Sequence, residues 1–172
     1  LAEPATTEII VVDDGFGMTA LDIEEKWLSP AIDYKDRQKK ARQRTPRGRL
    51  PIGEKGVGRF AVHQLGHMLT LITRAAGQPE TVLSVNWDDF ESGETYLDEL
   101  PIAIHEREPQ LFANDTTGTG LYIKQARVRW TETQVRKVYR GLRRLQSPST
   151  GHADFKVGLI CPEYPAYEHF PT

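Results

Sequence analysis

The chain has 172 residues, 38% of them hydrophobic and 27% charged, which suits one soluble globular domain with a real core. A net charge of −2 excludes a global field that would drive the molecule onto nucleic acid or an anionic membrane. Cys161 is the only cysteine, so no intrachain disulfide can form, and no apolar run approaches the length of a membrane span. A reducing, cytoplasmic location is therefore expected. The chain opens at Leu1 rather than Met, with a strand only a few residues in, and reads as a piece of a longer parent protein.

In chain order, Glu8–Val12 is a nearly continuous β-branched run ended by Asp13-Asp14-Gly15, the pattern of a buried strand entering a tight turn. Thr19 and Asp22 have capping-box spacing, and Ala20, Ile23 and Trp27 fall on one face of the helix they would start; Ser29-Pro30 ends it. Residues 33–50 hold few apolar side chains and many cations, as a mobile surface loop does. A helix is expected from Arg59 to Gly66. Strands over 69–75 and 81–87 are joined as a hairpin through Gly77-Gln78-Pro79. Further strands are expected over 102–106 and 121–128, separated by an acidic loop. Thr131 and Gln134 form a second capping box, leading a helix with Val135, Val138, Leu142 and Leu145 on its apolar face, and Pro148 closes it. Phe155–Cys161 reads as a last strand before a Pro/Tyr-rich tail. Antiparallel strands with segregated helices predict an α+β two-layer sandwich.

Charge is unevenly distributed along this order. Lys35 to Arg59 carries ten Lys/Arg against Asp36 and Glu54, and Asp88 to Asp115 carries nine acids against Arg107. Two glycine-rich turns stand out. Asp13-Asp14-Gly15-Phe16-Gly17-Met18 places a carboxylate at a strand end beside glycines that let a flat ring approach. Gly53-Glu54-Lys55-Gly56-Val57-Gly58 places backbone N–H groups before a helix, where phosphate binds well. The second turn lacks the Gly-Lys-Ser/Thr ending of a Walker A loop and the spacing of a dinucleotide fingerprint.

Taken together, these turns resemble those of the GHKL or Bergerat-fold ATPases, which include type II topoisomerase ATPase domains, the large heat-shock chaperone, MutL, MORC proteins and histidine-kinase catalytic domains. The resemblance covers about residues 8–146. It implies a mostly antiparallel mixed sheet in a two-layer α/β sandwich, a single domain over 1–172, and ATP and Mg²⁺ as ligands. By this resemblance Asp13 accepts from the adenine amino group, Gly15 and Gly17 give the base room, and Met18 packs on it. Gly53, Lys55, Gly56, Val57, Gly58 and Arg59 surround the phosphates at the end of an ATP lid spanning about 30–55. Thr117-Gly118-Thr119-Gly120, just before a strand, resembles the third box, with Thr119 reaching the adenine side.

The order of the boxes is more similar to the chaperone, MutL and MORC branch than to histidine kinases, which place the third box directly after the lid. The family's general base Glu and Mg²⁺-binding Asn have no counterpart among the twelve residues before Asp13, so this helix is expected upstream of Leu1. The expected activity is ATP hydrolysis coupled to lid closure, to dimerisation through the lid region, or to a distal domain. The alternatives are a histidine-kinase-like catalytic domain and a degenerate, non-hydrolytic regulatory module. The basic segment reads as a solvated loop or a nucleic-acid patch; nucleic acid is a possible partner but is not indicated, since the segment has only Tyr34 among its cations. His63 and His67 have the i, i+4 spacing of a zinc helix, but the residue after the first is Gln64 and no third ligand is evident. Trp27, Trp87 and Trp130 read as core or edge aromatics, and Cys161 as buried and inert.

Overall fold

The computed structural model describes residues 3–28, 57–91, 102–145 and 156–169. Backbone contacts divide the chain into two compact units, Ala5–Arg127 and, separately, Leu1–Pro4 with Val128–Thr172.

The larger unit is built on a five-stranded sheet: β1 (Glu8–Asp13), β2 (Gly66–Arg74), β3 (Glu80–Asn86), β4 (Ala103–Arg107) and β5 (Gly118–Ala126), in the order β1-β5-β2-β3-β4. All four ladders among the described residues are antiparallel, as the segregated pattern of strands and helices predicts. The β2–β3 hairpin turns at Gly77, whose φ of +70° is the left-handed conformation that glycine adopts without strain.

Alternation along β2 sends Leu69, Leu71 and Thr73 inward. Leu69 and Leu71 join Leu83, Val85 and Ile123 from the neighbouring strands, and Ile23, Val62 and Trp87 complete the buried cluster, with Trp27, Leu28 and Leu65 packed on it. Each such aliphatic side chain contributes about 1.5–3 kcal/mol by leaving water. Helical segments on a sheet face make the α+β two-layer arrangement.

Local chemistry explains the first helix. Asp22 N–H donates to Thr19 Oγ1 (3.1 Å) while Thr19 N–H donates to Asp22 Oδ2 (3.0 Å), so two otherwise orphaned donors are satisfied reciprocally. The α-helical turn is brief, Ala20–Asp22, and continues as a π-helix, Ile23–Leu28, rather than the regular helix expected. The wider turn still keeps Ile23 fully buried and Trp27 and Leu28 against the core.

Several expectations are corrected. β1 is an edge strand and not a buried one: Ile10, Val11 and Val12 are each 53% exposed, and among the described residues the strand has β5 on one side and no sheet neighbour on the other. The helix expected over Arg59–Gly66 is a 3₁₀ helix, Val57–Gln64, closed by Leu65 N–H donating to Val62 O (2.9 Å), and Gly66 already belongs to β2. β5 begins at Gly118 rather than Leu121, so the third glycine box, apart from Thr117, lies within a strand and not ahead of it.

The smaller unit holds the helix Glu132–Leu145. Its capping box is present, with Thr131 N–H donating to Gln134 Oε1 (2.8 Å) and Gln134 N–H to Thr131 Oγ1 (3.4 Å). Of its expected apolar face, Val135 is buried, Leu142 half-buried and Val138 38% exposed. The strand expected over 155–161 does not form among the described residues. Leu159 makes a single bridge with His169, through Leu159 N–H to His169 O (2.7 Å) and the reciprocal bond (2.9 Å), too short for a ladder. Cys161 is half-buried rather than buried.

Candidate functional site

Three side chains form a row across adjacent strands. The register pairs Asp13 on β1 with Thr119 on β5, and Thr119 with Thr73 on β2. The turn after β1 folds back over this row and is tied to it at each step. Asp13 Oδ1 accepts from Gly15 N–H (2.8 Å), Thr117 Oγ1 donates to Gly15 O (2.7 Å), and Met18 N–H donates to Thr73 Oγ1 (2.9 Å). The first and third glycine boxes, about a hundred residues apart in sequence, are thus one stitched assembly.

Two glycines make that assembly possible. Gly17 has φ +66°, and a Cβ on it would lie 1.8 Å from Arg74 O, so only glycine lets the turn press onto the end of β2. A Cβ at Gly118 would meet Asp13 O at 2.1 Å and the Phe112 ring at 2.6 Å, so β5 can lie against β1 here only without a side chain.

Thr73 decides the hydrogen-bond polarity of the row. Its side chain is fully buried, and its single hydroxyl proton goes to Gly118 O (2.8 Å), a pure acceptor, while it accepts from Met18 N–H. In the 3.1 Å contact between Thr73 Oγ1 and Thr119 Oγ1, Thr119 is therefore the donor. Thr119 is left with lone pairs as its remaining capacity. Asp13, exposed and engaged through Oδ1, keeps a second carboxylate oxygen of the same acceptor character.

A second network braces the approach to Thr117. Glu80, fully buried, accepts from Arg107 Nε (2.7 Å) and Gln110 N–H (3.4 Å) through Oε2, and from Leu111 N–H (2.8 Å) and Phe112 N–H (3.0 Å) through Oε1. Burial raises its pKa, but the hydrogen bonds from Phe112, Arg107, Leu111 and Gln110 outweigh that cost and hold the carboxyl below the ordinary glutamate range. Arg74 grips the carbonyl side of the same loop, donating to Phe112 O (2.8 Å), Asn114 O and Thr116 O.

Of the residues singled out from sequence, Asp13, Gly15, Gly17, Met18 and Thr119 come together here. Gly53, Lys55 and Gly56, with the segment 30–55 and the Ser29-Pro30 stop, lie outside the described residues. Val57, Gly58 and Arg59 open the 3₁₀ helix, and only their backbone is described. His63 and His67 do not share a helix: His63 stacks edge-on against Trp87 (5.9 Å), and His67, in β2, contacts Asp88 Oδ1 through Nδ1 (2.6 Å). Thr73, Arg74 and Glu80 escaped the sequence reading. Their signal was a polar residue at an inward strand position, as Thr73 is after Leu69 and Leu71.

Among the described residues no group of three or more His, Cys, Asp or Glu is placed to hold a metal ion. No helix among them is long and apolar enough to cross a membrane.

No curated protein matches the chain. Residues 2–119, well over half of the length, match the family described as histidine kinase-, DNA gyrase B- and HSP90-like ATPases. With the glycine boxes joined across an antiparallel sheet, the chain belongs to this GHKL family and is an ATP-binding domain of it.

Proposed function

We propose that the row Asp13–Thr119–Thr73 is the adenine-reading edge of the nucleotide pocket. The observation that carries this is the fixed polarity of the row: every capacity it leaves open is an acceptor. The exocyclic amine of adenine supplies donors at that edge. Asp13 takes one N–H on its second oxygen, its orientation set by Gly15 N–H, and Thr119 takes a second directly or through a water. Gly17 gives the base room and Met18 packs on its face. Guanine presents a carbonyl at the same position, so acceptors would face an acceptor. Leaving them unpaired costs about 1–3 kcal/mol, a discrimination of about 5–150-fold for ATP over GTP.

On the phosphate side we place Gly53, Lys55, Gly56, Val57, Gly58 and Arg59, with the cationic segment 30–55 as the lid. The excess of positive charge from Lys35 to Arg59 supports this reading, because a triphosphate concentrates negative charge. Hydrolysis would be Mg²⁺-dependent attack of water on the γ-phosphate, with the general base and metal ligand on a helix upstream of Leu1. Lid closure would then be coupled to dimerisation or to further domains of a longer, cytoplasmic protein. Within the family we favour the chaperone, MutL and MORC branch, on the order of the boxes, with residues 1–172 as one ATP-binding domain.

Calorimetry with ATP and with GTP tests the proposal. Wild type is expected to prefer ATP by the factor above, and Asp13→Asn to lose about 10-fold or more in ATP affinity, since its amide would meet the adenine amine donor to donor. A wild type that binds neither nucleotide, or an Asp13→Asn variant that binds ATP as well as wild type, would sink it. Phosphate release with Mg²⁺, from a protein extended upstream of Leu1, separates turnover from binding alone.

A further inference from the structure

The helix Glu132–Leu145 carries five cations, Arg136, Lys137, Arg140, Arg143 and Arg144, all exposed. At 3.6 residues per turn they fall within an arc of about 120°. None of the five is within ion-pair distance of an acid among the described residues. The helix's one acid, Glu132, accepts from the Tyr167 hydroxyl (2.8 Å) instead of neutralising a neighbour. The opposite face is already occupied. Val135 is buried, and Tyr139 packs on Tyr167 (5.8 Å between ring centroids) and His169 (6.5 Å).

This division decides which partner the face fits. An amphipathic helix that binds a membrane must insert its apolar face into the lipid. Here Val135 is buried and Tyr139 is engaged by Tyr167 and His169, while Val138 is exposed. Stacking on single-stranded bases needs free aromatic rings, and the basic arc has none. Four of the five cations are Arg, whose planar fork matches phosphate oxygens two at a time. Arg136 to Arg144 spans about 12 Å of helix axis, the reach of two or three consecutive phosphates.

We propose that this face docks on the sugar–phosphate backbone of a nucleic-acid duplex, without reading base sequence. The interaction is electrostatic, so it is strongly salt-dependent and tolerant of sequence. It is independent of the nucleotide pocket and adds a partner that the net charge alone does not suggest.

The test is fluorescence anisotropy of the 172-residue chain with labelled DNA and RNA duplexes of about 20 base pairs, titrated at several salt concentrations. If three to five cations contact phosphate, the slope of log affinity against log salt is about −3 to −4.5 for DNA. Lys35–Arg59 is also basic, so binding by wild type does not by itself locate the contact. The double variant Arg140→Glu/Arg144→Glu does: it is expected to weaken binding about tenfold or more and to flatten the slope by about 2. Both residues are exposed, so an unchanged melting temperature confirms that the fold survives. Retained affinity in that folded variant overturns the proposal. So does a wild type that binds polyglutamate or phosphatidylserine vesicles more tightly than either duplex. Whichever duplex binds more tightly identifies the source of the phosphate backbone.

Discussion

Replacing Glu80 by Gln measures how far one buried carboxylate holds the loop that feeds the pocket. Its four hydrogen bonds divide evenly between the two oxygens, Leu111 and Phe112 on Oε1, Arg107 and Gln110 on Oε2. A glutamine can keep its carbonyl towards Leu111 and Phe112, but its amide then points donors at Arg107 Nε and Gln110 N–H. The charge-assisted bond to Arg107 is lost, worth about 1.5–3 kcal/mol, and the Gln110 bond, already long at 3.4 Å, adds little. Arg107 is 30% exposed and rehydrates, which spares the full cost of an unpaired buried cation. The two bonds that survive weaken from charged to neutral. The sum is about 2–4 kcal/mol, or a fall on the order of 10 °C in melting temperature for a chain of this size. Urea unfolding followed by tryptophan fluorescence is the assay, with the m-value unchanged. Because the folded-state pKa of Glu80 is lowered, its stabilisation is complete above the ordinary glutamate range and is lost as pH falls through the folded value. The gap between wild type and variant must therefore narrow on acidification. A cost under about 0.5 kcal/mol at neutral pH, or a gap that stays constant into acid, would refute the reasoning.

Three further outcomes follow from the site and its supports. Gly17→Ala forces a side chain into φ +66° and against Arg74 O, so thermal unfolding should show a loss of about 1–3 kcal/mol and calorimetry a loss of ATP binding. Thr73→Val removes the acceptor for Met18 N–H and frees the Thr119 hydroxyl to rotate, so the ATP-to-GTP affinity ratio should shrink, while Thr73→Ser should restore it. An unchanged ratio in Thr73→Val would show that Thr119 is not held as an acceptor. Thr19→Ala deletes one capping box and should cost about 1 kcal/mol in urea unfolding.

Much of the fold is legible in sequence because its signals are local. The hairpin of β2 and β3 follows from alternation and a glycine turn, and both capping boxes follow from spacing alone. What fails is what depends on neighbours. The run Ile9-Ile10-Val11-Val12 has the composition of a buried strand, yet in the described structure it is an edge, since exposure is set by which strand lies alongside and not by the strand itself. Phe155–Cys161 has strand-like residues, but among the described residues Leu159 makes a single bridge with His169 and no ladder forms. At Ile23 the helix widens to a π turn, which the capping box and apolar spacing of the sequence do not signal, and Ile23 is a member of the buried cluster.

The site shows the same division at the level of single atoms. Asp13, Gly17 and Thr119 can be picked out by their spacing in the glycine boxes, but the spacing says nothing of which way a hydroxyl proton points. That direction depends on Thr73, about fifty residues from either box and unremarkable in a strand of threonines and leucines. Because Gly118 O can only accept, the Thr73 proton has one destination; because Met18 N–H can only donate, a Thr73 lone pair is spoken for. The polarity of Thr119 then follows by elimination. A pocket edge composed of acceptors is thus a property of three strands in register, and any substitution that slips β2 against β5 would scramble it while leaving every glycine box intact.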